Sequence, residues 1–158
     1  MYFKTHLAFS FFILLLIIYF FEHLFLDFSN LEKLLFALIF MFASLFADLD
    51  NTKSKYGKNI FPISWIFKHR GFFHSIFSAF FFSLIIAIIN IYYAISFFLG
   101  YLSHIILDMF NYKGIILFYP FSKYKIKGII KSNGLFDKTL FLIFFSSIFI
   151  MIYLINSK

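Results

Sequence analysis

The chain has 158 residues, of which 63% are hydrophobic, 30 are phenylalanine and only 13% are charged, with a formal net charge of +7. A composition this apolar excludes an ordinary soluble domain and points to an integral membrane protein. Cysteine is absent, which excludes disulfides and thiolate sites, so any metal must be held by nitrogen and oxygen.

A spanning helix needs about 20 mostly apolar residues to cross a hydrocarbon core of about 30 Å. The first apolar stretch, residues 7–21, follows Lys4 and stops at Glu22-His23. No small-residue cleavage site follows it, so it reads as a retained helix rather than a signal peptide. The second, 34–47, ends at Asp48-Leu49-Asp50. Residues 72–110 are apolar for too long to be one span, since at about 1.5 Å per residue they would reach about 58 Å. A break near Asn90 divides them into helices over 72–89 and 91–110, and a fifth covers 139–155. Pro62 and Pro120 start or interrupt short interfacial segments, 61–67 and 115–121. The expected fold is all-α: a polytopic transmembrane helical bundle of five helices, or four if the second is half-inserted. No linker divides it, so residues 1–158 read as a single domain.

Lys and Arg in short loops favour the cytoplasmic side. Segment 51–71 carries Lys53, Lys55, Lys58, Lys68 and Arg70, and segment 111–138 carries Lys113, Lys123, Lys125, Lys127, Lys131 and Lys138. Both are expected inside, with Lys4 placing the amino terminus in the cytoplasm. The acidic connection 22–33 and the uncharged turn at Asn90 suit the outside. Orientation and attraction to anionic headgroups account for the positive charge, so nucleic acid is not an expected partner, whereas membrane lipids are.

On this map nine ionisable residues fall at the cytoplasmic helix ends: His6, Asp48, Asp50, His69, Arg70, His74, His104, Asp108 and Asp137. Ionisable side chains at membrane depth are costly and face the bundle interior, where they pair or serve a function. His104 and Asp108 are four apart and share a helical face, as do Arg70 and His74. Asp48 and Asp50 converge only if their helix ends there. Histidines and carboxylates without cysteine form a ligand set suited to Zn²⁺, Mn²⁺ or Fe²⁺, with room for two ions. Each piece alone has a plainer explanation: a helical hydrogen bond, a solvated terminus, or a headgroup contact for Lys68 and Arg70. His23, on the opposite side, reads as structural, and Trp65, Tyr92 and Tyr93 as interface aromatics.

The same residues fall into an ordered set of motifs: "THLAF" with His6, "LFADLD" with Asp48 and Asp50, "HRGFFHS" with His69, Arg70, His74 and Ser75, "GYLSHIILD" with Ser103, His104 and Asp108, "FYPFS" around Pro120, and "KSNGLFD" ending at Asp137. This set resembles the YdjM-like family of inner-membrane metal-dependent hydrolases, itself distantly similar to the zinc-dependent phospholipase C and P1 nuclease group. Ala47 stands where that family has proline, Phe73 where it has threonine, and Asp137 where it has a longer Glu.

The resemblance implies phosphoester hydrolysis at the inner membrane. His6, Asp48, Asp50, His74, His104 and Asp108 are the expected ligands of one or more divalent ions, Zn or Mn first. Arg70 would grip an anionic substrate oxygen, His69 would be a further ligand or proton donor, and Asp137 joins them as a catalytic candidate. Ser75 and Ser103, beside His74 and His104, are candidates to orient them. The expected substrate is a phospholipid or another membrane-associated phosphoester. Two other classes compete. A structural metal clamping helix ends would use the same residues, and a transporter would place its polar groups nearer mid-bilayer, where this sequence has only serines.

Overall fold

The computed structural model describes residues 2–50 and 71–157, with every side chain among them except those of Leu49 and Asp50. Among the described residues there are five α-helices: α1 (Phe3–Phe20), α2 (Asn30–Phe46), α3 (Ile76–Ala87), α4 (Ile91–Met109) and α5 (Leu135–Asn156). Short 3-10 turns cover Glu22–Phe25, Ala47–Asp50 and Phe72–His74. The segment 61–67, with Pro62 and Trp65, lies outside the described residues.

The helix starts are set by side-chain caps that hydropathy does not reveal. α2 begins four residues earlier than its apolar run. Ser29 and Glu32 form a reciprocal capping box there, with Glu32 N–H donating to Ser29 Oγ at 3.3 Å and Ser29 N–H to Glu32 Oε2 at 2.8 Å. α4 begins at the expected break, where Asn90 Oδ1 accepts from Tyr92 N–H at 2.8 Å. α3 departs from expectation. It starts at Ile76 rather than at 72, because Phe72–His74 is a 3-10 turn and the extended Ser75 caps the helix by accepting from Ser78 N–H at 3.2 Å. Its 12 residues reach only about 18 Å, short of a hydrocarbon core. α1, α4 and α5 are long and apolar enough to cross a membrane. α5 begins at Leu135, so Asp137 lies inside its first turn rather than ahead of it.

α4 is the hub and packs against α1, α2 and α3, while α5 packs mainly on α1 among the described residues. Ala43, Ala47 and Ala79 join Phe97, Tyr101 and Ile105 in the core between α2, α3 and α4. Small residues bring the backbones close. A Cβ on Gly100 would stand 2.2 Å from the Phe40 carbonyl oxygen, and Ser96 Oγ donates to the Phe36 carbonyl at 2.6 Å. α1 is tied to α4 by Ser10 and Ser103, whose hydroxyls meet at 2.8 Å. The outer faces are apolar and exposed, as lipid requires: Leu142, Phe149 and Tyr153 on α5 are examples.

Residues 110–134 form an irregular cover at the end of α4, and the expected interfacial segment 115–121 belongs to it. Its backbone groups satisfy one another through isolated bridges, Asn111 with Ile130 and Ile115 with Ile126. Gly128 permits this fold-back, since a Cβ there would come within 2.1 Å of the Phe110 carbonyl oxygen. Ile76 N–H donates to the Leu117 carbonyl at 2.9 Å, which fixes the start of α3 against the cover.

Candidate metal centre

Antiparallel packing brings the start of α1, the end of α2, the turn before α3 and the end of α4 to one end of the bundle. Each delivers one or two ionisable side chains. His6 closes the first turn of α1, Asp48 sits in the turn after α2, His74 in the turn before α3, and His104 and Asp108 on one face of α4. All but Asp48 are fully buried; Asp48 keeps 25% of its side chain exposed.

The cluster is organised around Asp108. Its Oδ1 lies 3.3 Å from His6 Nε2, while its Oδ2 lies 3.4 Å from His74 Nε2 and 3.9 Å from His104 Nε2. Asp48 Oδ1 completes the group at 3.9 Å from both His74 Nε2 and His104 Nε2. Donor atoms around a tetrahedral ion at about 2.1 Å stand about 3.4 Å apart. Asp48 Oδ1 and Asp108 Oδ2 each stand 3.4 to 3.9 Å from His74 Nε2 and His104 Nε2, within about half an ångström of that spacing. Two overlapping triads, His6 with His104 and Asp108, and Asp48 with His74 and His104, each keep their donor atoms within 4.8 Å of one another.

The ring orientations match that role. His104 Nδ1 lies 2.7 Å from the Ser44 carbonyl oxygen, which can only accept, so Nδ1 carries the proton and Nε2 turns a lone pair toward the cluster. This is the usual arrangement behind a metal-binding imidazole, in which the distal nitrogen is held by a backbone or carboxylate oxygen. His104 Nε2 is buried with no hydrogen bond among the described residues, and so is His6 Nδ1. A buried imidazole lone pair facing two carboxylates is poorly satisfied by the protein alone and well satisfied by a cation. The His6 ring stacks on that of His104, with centroids 4.1 Å apart. The donor set of three imidazoles and two carboxylates therefore fits a borderline divalent ion such as Zn²⁺ or Mn²⁺.

Tyr101 supports the site from behind. Its hydroxyl donates to the Phe73 carbonyl at 2.8 Å and meets Ser78 Oγ at 3.2 Å, fixing the turn that carries His74 against α4. Sequence reasoning passed over Tyr101, although it stands three residues before His104 and so shares its helical face. Ser75 and Ser103 act as a helix cap and an interhelical tie, not on the imidazoles: Ser75 Oγ donates to the Phe72 carbonyl and Ser103 Oγ to the Gly100 carbonyl.

Asp137 does not join the cluster. Its Oδ1 accepts from Thr5 Oγ1 at 2.8 Å, and its Oδ2 accepts the backbone N–H groups of Tyr2 at 2.9 Å and Asn133 at 2.7 Å. Both oxygens are thereby committed to stapling the start of α5 to the start of α1, apart from the histidine cluster with which the sequence groups Asp137. His69, Arg70 and the side chain of Asp50 lie outside the described residues.

The model of one protein family, described as the YdjM inner membrane protein, matches residues 1–157 of the chain. The chain belongs to the YdjM inner membrane protein family. It is a membrane protein of that family, all-helical among its described residues, with three helices long and apolar enough to span. No curated protein and no solved structure matches it.

Proposed function

We propose that this YdjM-family chain is a membrane-bound, metal-dependent hydrolase that acts on a phosphoester presented at the membrane surface. The observation that carries the reading is the convergence of three imidazoles and two carboxylates, from four separate elements, in an otherwise apolar bundle. Burying so many ionisable groups is costly unless a cation or a reaction uses them.

Asp48, His74, His104 and Asp108 would hold the ion, with His6 on the far oxygen of Asp108. Zn²⁺ and Mn²⁺ suit the donors best, and Asp50, in the same turn as Asp48, remains a candidate ligand. A divalent ion in such a site supplies a Lewis acid and a water acidic enough to act as nucleophile near neutral pH. The protein's part is orientation. Ser44 fixes the His104 tautomer, and Tyr101 fixes the turn under His74. Asp48 is the member with solvent exposure, so the approach for a substrate lies on its side. Arg70 and His69 directly precede that turn at Gly71 and are assigned to phosphate binding and leaving-group protonation. The lysine-rich segments support a cytoplasmic position for this end and for the amino terminus.

One observation favours a second reading. Four protein donors can fill a tetrahedral sphere, as a structural clamp requires. The two separate in one experiment: purified protein loaded with Mn²⁺ or Zn²⁺ is offered phospholipid and water-soluble phosphoesters, beside Asp48→Asn. Metal-dependent release of phosphate or headgroup, lost in the variant, is the expected result. Bound metal that stabilises the fold without any turnover would overturn catalysis in favour of the clamp.

A further inference from the structure

A second polar site lies between the starts of α1 and α5, apart from the histidine cluster. A cavity of about 260 Å³ opens there, with Lys4 and Lys138 on its rim, Tyr2 and Phe141 on its walls, and Thr5 and Asp137 at its base. We propose that this cavity binds the phosphate headgroup of an anionic phospholipid. The proposal does not depend on the metal reading.

The charge balance favours an anion. Asp137 is the single acidic residue in segment 111–138, and residues 1–21 contain none. Its carboxylate is spent on three donors within the fold, Thr5 Oγ1 and the N–H groups of Tyr2 and Asn133. Those backbone groups are thus consumed, and the attraction rests on the two exposed ammonium groups, which outnumber the single buried carboxylate. Placement favours a lipid over a free ion. α1 and α5 are both span-length and both begin at this pocket, at Phe3 and Leu135, so it sits where headgroups lie. Leu135 and Phe136, both strongly exposed, flank it with apolar surface. The aromatic walls from Tyr2 and Phe141 suit a glycerol backbone and the first acyl carbons, which a soluble phosphate does not have. Lysine stems can lie along such walls while the ammonium groups reach the phosphate.

The test uses full-length protein in detergent micelles containing equal amounts of phosphatidylglycerol and phosphatidylcholine, with retained lipid read by native mass spectrometry. Wild-type protein is expected to retain phosphatidylglycerol preferentially. Lys4→Gln with Lys138→Gln should lower that preference by about fivefold or more, while Lys4→Arg with Lys138→Arg keeps it. Lys113→Gln with Lys123→Gln, which removes equal charge elsewhere, should leave it intact. Circular dichroism and gel filtration confirm that the variants are folded. An unchanged preference in the Lys4/Lys138 pair would overturn the site, and so would an equal loss in the Lys113/Lys123 pair, which would mean diffuse attraction. Displacement of the lipid by inorganic phosphate would make it a soluble-anion site and refute the lipid assignment.

Discussion

Replacing Gly100 by alanine is the sharpest probe of how the bundle positions its histidines. The added Cβ would stand 2.2 Å from the Phe40 carbonyl oxygen and 2.9 Å from its carbon, and both belong to the α2 backbone rather than to a flexible side chain. To reach ordinary contact at 3.4 Å, α2 and α4 must separate by about 1.2 Å at this level. Two hydrogen bonds cross the same seam on either side: Ser96 to the Phe36 carbonyl at 2.6 Å, and His104 to the Ser44 carbonyl at 2.7 Å. An opening of that size takes both beyond hydrogen-bonding range. Overpacking costs about 1–3 kcal/mol, and each of the two lost bonds about 0.5–1.5 kcal/mol, so the total is about 2–6 kcal/mol. Thermal unfolding in detergent should show a midpoint lower by roughly 4–24 °C. Because His104 loses the carbonyl that fixes its tautomer, metal affinity should fall by about tenfold or more. A Gly100→Ala protein with the wild-type midpoint and metal affinity would refute the close α2–α4 seam and the tautomer argument built on it.

Asp137→Ala strands three donors at the α1–α5 junction and should destabilise the protein by about 3–5 kcal/mol in denaturant titration, with Asp137→Asn less harmful; the folded fraction should keep its metal, whereas a ligand role would show as metal loss without comparable destabilisation. Tyr101→Phe removes the hydroxyl that holds the Phe73 carbonyl and should cost about 1–2 kcal/mol. Metal affinity measured by competition with a chelator should fall with it, because the turn carrying His74 loosens; an unchanged affinity would show that the turn holds itself.

The five helices were legible because each is an apolar run broken by charge or by Asn90, and membrane hydropathy is a strong signal. Where boundaries shifted, local chemistry was responsible: the Ser29–Glu32 box extends α2, and the Ser75 cap shortens α3. The irregular cover over residues 110–134 was not legible, since paired backbone groups with neither helical nor strand periodicity leave little pattern beyond Gly114 and Gly128. Within the site, His6, Asp48, His74, His104 and Asp108 could be grouped from the sequence once every helix end was assigned a side of the membrane. Asp137 shares that side and nonetheless does other work. Sidedness places a residue at an end of the bundle, but only packing decides whether it faces the cluster or the neighbouring helix. Of the serines in the helix middles, Ser10 and Ser96 tie helices together, through Ser103 and the Phe36 carbonyl, whereas Ser44, Ser83, Ser146 and Ser147 donate back to their own helices.

Metal content of protein purified without chelator, measured by inductively coupled plasma mass spectrometry beside His104→Ala and Asp48→Ala, tests the convergence of these side chains most directly. At least one equivalent of Zn²⁺ or Mn²⁺ per wild-type chain, sharply reduced in both variants, is the expected result. Wild-type protein that holds no divalent ion and takes up none when Zn²⁺ or Mn²⁺ is supplied would contradict the assignment, as would variants that retain the full complement.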